Sequence, residues 1–150
     1  MKVKKLRTHY IIRLDSGEEI VKTLTEFAQA KKIKSAFLLG LGAAKELTLG
    51  FYDLEKKAYI RRFFPTELEI TNLVGNIAWL EEAKQSVHQA KRDEPILHIH
   101  IVLSSSNFNT IGGHLFSGTV TATCEILIMV LDAKLKRSRD SATGLNLLTI

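Results

Sequence analysis

Three histidines are the residues of this 150-residue chain whose spacing most resembles a chemical site. His98 and His100 flank one isoleucine in an aliphatic run that is typical of a β-strand. Because side chains alternate faces along a strand, both imidazoles point the same way, with Cα atoms about 7 Å apart. A hairpin partner carrying His114 would lie about 4.8 Å to the side. Three neutral imidazoles without a nearby cysteine suit a divalent ion such as zinc, with a fourth coordination position left open.

The same residues also have an ordinary structural interpretation. A histidine on the polar face of a strand is commonly a satisfied or half-exposed side chain without a ligand. Gly112 and Gly113 precede His114 and allow the tight or positive-φ backbone of a loop that would deliver this ring. The two glycines are equally compatible with a bulge or a plain turn. His9 and His88 lie in a strand-like and a polar helix-like stretch, where exposure to solvent is expected.

Glu125 is a candidate partner of the metal ligands, with Gly112 and Gly113 as further neighbours. A carboxylate in so apolar a run needs a hydrogen-bond partner, a metal site or solvent. Glu125 therefore either orients a metal-binding ring or is an exposed charge on an edge strand. Cys124 beside it has apolar neighbours, which raise the pKa of a thiol and argue against a nucleophile.

Catalysis is an alternative use of the site. The sequence lacks the Walker loop, the Gly-x-Ser-x-Gly elbow and paired carboxylates. The remaining enzyme hypothesis is a zinc-dependent hydrolase or lyase that uses the open coordination position. Such an enzyme needs a general base, for which the candidates are Glu125 and residues within 81–93.

Length and composition predict a single domain over residues 1–150. A chain of this length with 45% hydrophobic residues can bury one substantial core. No apolar run reaches the length of a membrane span, and the basic N-terminus lacks the apolar stretch of a signal peptide. We therefore expect a cytoplasmic location and no membrane partner. The single cysteine excludes an internal disulfide.

The net charge of +5 is concentrated near the ends of the chain. Eight of the 21 basic residues lie within 1–7 and 134–139, which leaves 13 basic against 16 acidic residues elsewhere. Residues 1–6 and 134–143 are therefore predicted to be mobile or basic arms. Such arms either contact nucleic acid or another anionic surface, or they keep the protein in solution.

Strand-like segments outnumber helical ones along the chain. The predicted strands are 8–14, 36–44, 47–52, 58–64, 67–77, 96–103, 118–123, 125–131 and 145–150. Apolar residues at helical spacing predict one long helix from Ile20 to about Lys32, with Ser16 and Glu19 as its capping box. A short surface helix is predicted over 81–91. Together these elements predict an α+β fold, a largely antiparallel sheet with one long packed helix and short flanking helices.

Several segments carry a resemblance to a known family. The segments are 13–20, 39–43, 49–53, the Glu-Ile-x-x-Leu-x-Gly-x-Ile strand at 69–77, Leu-His-Ile-His at 97–100, Gly-Gly-His-Leu at 112–115, and Glu-Ile at 125–126. In this order they resemble the plants-and-prokaryotes conserved (PPC) domain over nearly the whole chain. This domain occurs alone in bacteria and archaea and is joined to AT-hook motifs in plants.

The resemblance implies an antiparallel sheet flanked by helices, assembled as a homotrimer with a regulatory or DNA-associated role. It also implies that His98, His100 and His114 form a divalent metal site, for which zinc is the usual suggestion. The chain departs from the family at 81–93, which is often a shorter turn. Residues 134–139 are basic but lack the glycine and proline of an AT-hook, so no motif transfers DNA binding to this chain.

Overall fold

The computed structural model describes residues 1–81 and 94–150, which form nine strands and one helix. The elements are β1 (Lys2–Leu6), β2 (His9–Asp15), α1 (Ile20–Ala30), β3 (Ala36–Asp53), β4 (Ala58–Phe64), β5 (Leu68–Leu80), β6 (Pro95–Ser104), β7 (Thr110–Val130), β8 (Lys136–Arg139) and β9 (Asn146–Thr149). The helix predicted over 81–91, with His88, lies outside the described residues apart from Glu81.

The expected α+β class is wrong, because the protein is mostly β-sheet. Strands make up 65% of the described residues and helix 8%. The predicted strands at 36–44 and 47–52 are one strand, β3, because the irregularity between them is accommodated within the sheet. Glu46 there has a positive φ of 53°, and the register with β7 shifts between Lys45 and Thr48, as in a β-bulge. Segments 118–123 and 125–131 likewise belong to the single strand β7.

Helix α1 is shorter than predicted and is capped by a different residue. Glu19 is the N-cap, and its carboxylate accepts a hydrogen bond from the backbone N–H of Lys22. The same carboxylate accepts a bond from the N–H of Gly118 at 2.9 Å, which ties the helix start to β7. The predicted capping box with Ser16 is therefore wrong, because Glu19 itself occupies the cap position. Among the described residues, no helix has the length and apolar character needed to cross a bilayer.

The strand pairings hold β6 in the middle of the sheet. β3 pairs with β5, β5 with β6, β6 with β7, and β7 again with β3, all antiparallel. These four strands therefore form a closed circuit, while β2 extends β7, β4 extends β3, and β8 runs parallel to β5. A strand bonded on both sides has little freedom to shift its register, so β6 is a rigid support for its side chains.

The core lies on one face of β6. Ile99, Ile101 and Leu103 are almost fully buried in the same cluster as the apolar face of α1, whose Leu24 and Ala28 are also buried. Because alternate residues face opposite sides of a strand, the residues between these three point away from the core.

Both terminal basic segments contain strands. Lys2–Leu6 pairs with β2, and the amino group of Met1 forms ion pairs with Asp15 and Glu18. Lys136–Arg139 pairs with β5 and β9, and β9 corresponds to the strand predicted at 145–150. Residues 2–6 and 136–139, within the segments expected to be arms, are thus strands of the sheet.

Candidate metal centre

The strand register brings three histidines together. His98 and His100 are alternate residues of β6, on the face opposite the buried Ile99 and Ile101. His114 lies on β7 and is the direct cross-strand partner of His100. As predicted, His98 and His100 share one face of a strand, and His114 lies on the antiparallel strand next to it.

The distances between the rings fit ligands of one ion. The Nε2 atoms of His98 and His100 are 3.2 Å apart, and one nitrogen from each of the three rings lies within 4.8 Å of the others. Two imidazole nitrogens bound to one tetrahedral zinc at 2.0–2.1 Å are about 3.3 Å apart. The pair on β6 therefore already has the separation of two ligands of one ion.

His114 is held by aromatic neighbours and stays neutral. Its ring centroid lies 5.1 Å from that of Tyr59 and 4.7 Å from that of Phe116. Burial, and after it the nearby His98 and His100, lower the pKa of His114 to about 4. Its buried Nδ1 has no hydrogen-bond partner among the described residues. At neutral pH this ring therefore has the uncharged form that a metal requires.

Arg137 is a buried neighbour of the cluster that sequence reasoning missed. It is only 5% exposed, and Nη2 donates to Nδ1 of His98 at 3.3 Å and to Oδ1 of Asn76 at 2.7 Å. Nη1 donates to the carbonyl of Asn146 at 2.8 Å, while Nε has no hydrogen-bond partner among the described residues. Burial, the charge of Arg137 and the proximity of His100, in that order, lower the pKa of His98. No motif signals this residue, since it sits in a short basic run far along the chain from the histidines.

Gly112 and Gly113 lie within β7, paired with Val102 and Ile101, and not in a loop. Neither has a positive φ, so the expected loop is wrong. Gly113 instead allows β7 to lie close to β3, because a Cβ at this position would be 2.9 Å from the carbonyl oxygen of Gly50. Bulkier residues would push β7, and with it the histidine ring that follows, away from β3.

The structure does not bring Glu125 to the histidines of the same chain. Glu125 is exposed and pairs with Arg13 on β2 and Leu41 on β3. Glu125 lies eleven positions after His114 on β7, which is roughly 36 Å along a strand. The candidate general bases for a hydrolase or lyase were Glu125 and residues within 81–93. Glu125 thus lies away from the histidines, and residues 81–93 lie outside the described part of the chain apart from Glu81.

Cys124 is fully buried, and burial raises the pKa of its thiol to about 12. The side chain is therefore a core residue, in agreement with the expectation that it is not a nucleophile.

A cavity of about 600 Å³ opens beside the three histidines. Its walls include exposed apolar side chains of three strands, Phe51, Val74 and Val102. The rings of Tyr52 and Tyr59 complete one side, and the Tyr52 hydroxyl donates to the carbonyl of Thr143 at 2.7 Å. No Asp, Glu, Lys or Arg is among the described residues that line the cavity. An ion held by the histidines would thus be open to a small molecule from this side.

Comparison with known proteins identifies relatives of similar length. A protein from Bacteroides thetaiotaomicron, described as a candidate DNA-binding protein, is 31% identical with a TM-score of 0.87, covering 99% of this chain and 96% of its own. A metal-containing protein from Archaeoglobus fulgidus is 32% identical with a TM-score of 0.82 and the same coverage. A plant- and prokaryote-conserved (PPC) protein from Pyrococcus horikoshii is 25% identical with a TM-score of 0.81, covering 99% of this chain and 94% of its own.

The search of curated proteins finds no match. The sequence profile of the Plants and Prokaryotes Conserved (PCC) domain matches residues 1–132, which include all three histidines but not Arg137. The resemblance drawn from the sequence motifs is confirmed, and the chain belongs to the plants and prokaryotes conserved domain family.

Proposed function

We propose that this protein binds one divalent metal ion per chain, preferentially zinc, through His98, His100 and His114. The observation that carries the proposal is the cross-strand pairing of His100 with His114, next to two Nε2 atoms 3.2 Å apart. Three imidazoles favour zinc over the harder cations magnesium and calcium, which prefer oxygen ligands. The metal-containing relative from Archaeoglobus fulgidus supports the same assignment.

The proposed metal site is tested by titrating the metal-free protein with zinc against a chromophoric chelator. We expect one ion per chain, and an affinity at least 100-fold lower in His98→Ala and His114→Ala, because each variant removes one of three ligands. His9→Ala is the matched control, since this exposed histidine lies on β2, away from the cluster. Equal zinc affinity in all four proteins would contradict the assignment.

We also propose that the protein is a cytoplasmic homotrimer, in which copies of the chain cover an apolar sheet face. Phe37, Leu39 and Leu41 of β3 are 43%, 50% and 56% exposed and lie on the face away from the core. Leu39 pairs across the sheet with Leu127, which extends the apolar surface onto β7. Exposed apolar patches of this kind mark association surfaces. Light scattering should give three times the 16.8 kDa chain mass, and Leu39→Glu should lower it to that of a single chain.

A regulatory association with DNA is a second candidate function. The structure brings the two basic ends of the chain to one cleft beside the end of α1. Its basic lining residues are Lys5, Arg7, Lys31, Lys32, Lys34 and Lys134. Asp132 is the acidic residue among the described lining, so the cleft is strongly positive and suits a phosphate backbone. The candidate DNA-binding relative from Bacteroides thetaiotaomicron supports this role.

DNA association is tested by measuring duplex binding over a range of salt concentrations. We expect affinity that falls steeply with salt, and a smaller salt dependence in Lys32→Glu/Lys34→Glu, because fewer phosphates are neutralised. Lys56→Glu is the matched control, since this exposed lysine lies in the turn between β3 and β4. The DNA role fails if the cleft variant and the control bind equally.

A further inference from the structure

The histidine cluster carries uncompensated positive charge. Arg137 is buried beside His98, and no described Asp or Glu forms an ion pair with it. Its partners are neutral, the amide oxygen of Asn76 and the carbonyl of Asn146. A second guanidinium, that of Arg61, lies 3.9 Å from the centre of the Phe116 ring. Before any metal binds, this region therefore already has an excess of cations.

A divalent ion on the three histidines would increase this excess. Neutral imidazoles contribute no negative charge, so the ion keeps its full charge of two next to the permanent charge of Arg137. Buried charges are stable only when opposite charges or good hydrogen bonds accompany them. The described lining of the cavity has no carboxylate, so an anion from solution can supply the compensating charge.

The cavity walls indicate what kind of anion fits. Phe51, Val74 and Val102 are 71%, 44% and 39% exposed and present apolar surface next to the rings. Few side chains of the described lining can donate a hydrogen bond to a ligand. Asn72 has an amide group, whereas the Tyr52 hydroxyl already donates to the carbonyl of Thr143. Phosphate needs many hydrogen-bond donors around its oxygens, and this lining offers few. A molecule with one charged group and an apolar body matches both the charge and the walls.

We propose that the metal-loaded cluster binds a small organic carboxylate, with its charged group at the open side of the histidines and its apolar part against Phe51, Val74 and Val102. The inference rests on the proposed metal site and names the ligand class of that same site. Arg137 acts on this ligand through its positive charge, which the carboxylate balances together with the charge of the ion, and we call this its charge-balancing role.

The test uses full-length protein loaded with Co²⁺, whose visible absorption reports on ligands at the metal. We expect benzoate to change the spectrum saturably, whereas benzamide, which has the same shape without the charge, and inorganic phosphate bind at least tenfold more weakly. Protein that does not bind Co²⁺ stoichiometrically overturns the metal site itself. Stoichiometric Co²⁺ binding with no response to benzoate, or with equal responses to benzoate and benzamide, overturns only the carboxylate inference.

The role of Arg137 is tested by Arg137→Gln in the same assay. A unit charge about 8 Å from the carboxylate at an effective dielectric constant near 20 corresponds to about 30-fold in affinity, and partial solvent access leaves about tenfold. We expect benzoate to bind about tenfold more weakly while Co²⁺ binds equally well or more tightly, because the cation repels the metal. If Arg137 had only a structural role, its replacement would lower the affinities for benzoate and for Co²⁺ together.

The matched control for this variant is Arg62→Gln, which removes one charge that lies over the Phe64 ring at 5.3 Å, outside the cavity lining. Unchanged benzoate affinity in Arg137→Gln, or an equal loss in Arg62→Gln, contradicts the charge-balancing role. Should Arg137→Gln fail to fold, the benzoate and benzamide comparison on the natural protein still decides the carboxylate inference.

Discussion

Acid should destabilise the metal-free protein, and His114 should make a measurable contribution to this loss. Burial, and after it the neighbouring His98 and His100, lower the pKa of this imidazole from 6.5 to about 4 in the folded state. In the unfolded chain the pKa returns to about 6.5. Between these two values the unfolded state binds a proton that the folded state does not. The stabilisation is therefore complete above about pH 6.5 and is lost as the pH falls toward 4.

The size of the effect follows from the two pKa values. Proton linkage with values of 4 and 6.5 gives a loss of about 2 kcal/mol in the free energy of unfolding between pH 7 and pH 5. His114 is only partly buried, and solvent screening reduces such an effect. We therefore expect about 1 kcal/mol to be measured.

Urea denaturation of the natural protein and of His114→Phe, both with a chelator present, isolates this contribution. Phenylalanine keeps the ring packing against Tyr59 and Phe116 but cannot take up a proton. The difference in unfolding free energy between the two proteins should change by about 1 kcal/mol from pH 7 to pH 5, with the natural protein losing more. An identical difference at both pH values would refute the reasoning.

Three further predictions concern the scaffold. Gly50→Ala places a Cβ about 2.8 Å from the Tyr59 ring, and should cost about 1–3 kcal/mol in urea denaturation and lower the zinc affinity, because that ring supports His114. An unchanged free energy of unfolding in Gly50→Ala would contradict the tight packing of the aromatic rings against β3 at this position. Cys124, with a pKa near 12, is thiolate in about one molecule in 10⁴ at pH 8, so Ellman's reagent should react only after unfolding. Ile99→Ala should lower the free energy of unfolding by about 2–5 kcal/mol, since this side chain is 1% exposed.

The three-histidine cluster could be predicted from the sequence because its geometry is local. Alternation along β6 places His98 and His100 on one face whatever the rest of the fold does. A short turn then returns the chain as β7, so the nearest antiparallel neighbour is the strand that contains His114. Gly112 and Gly113 were identified as important but assigned to a loop, since sequence alone does not distinguish a glycine in a turn from one at a close strand contact.

The residues around the ligands depend on long-range contacts that no local pattern reveals. Arg137 reaches His98 because β8 runs parallel to the distant strand β5, and its basic run is indistinguishable from an exposed arm. Glu125 was weighed either as a partner of a metal-binding ring or as an exposed charge. In the structure it is exposed, and the continuous strand β7 places it well away from His114. The fold class was missed because residues 2–6, 110–117 and 136–139 form strands where basic arms and a glycine loop were expected.

Anomalous diffraction at the zinc absorption edge tests the central claim most directly. Crystals of the zinc-loaded protein should show one strong anomalous peak per chain, about 2.0–2.1 Å from a nitrogen of each of His98, His100 and His114. A peak elsewhere, or ordered rings without any peak among them, would contradict the assignment of these three histidines as one metal site.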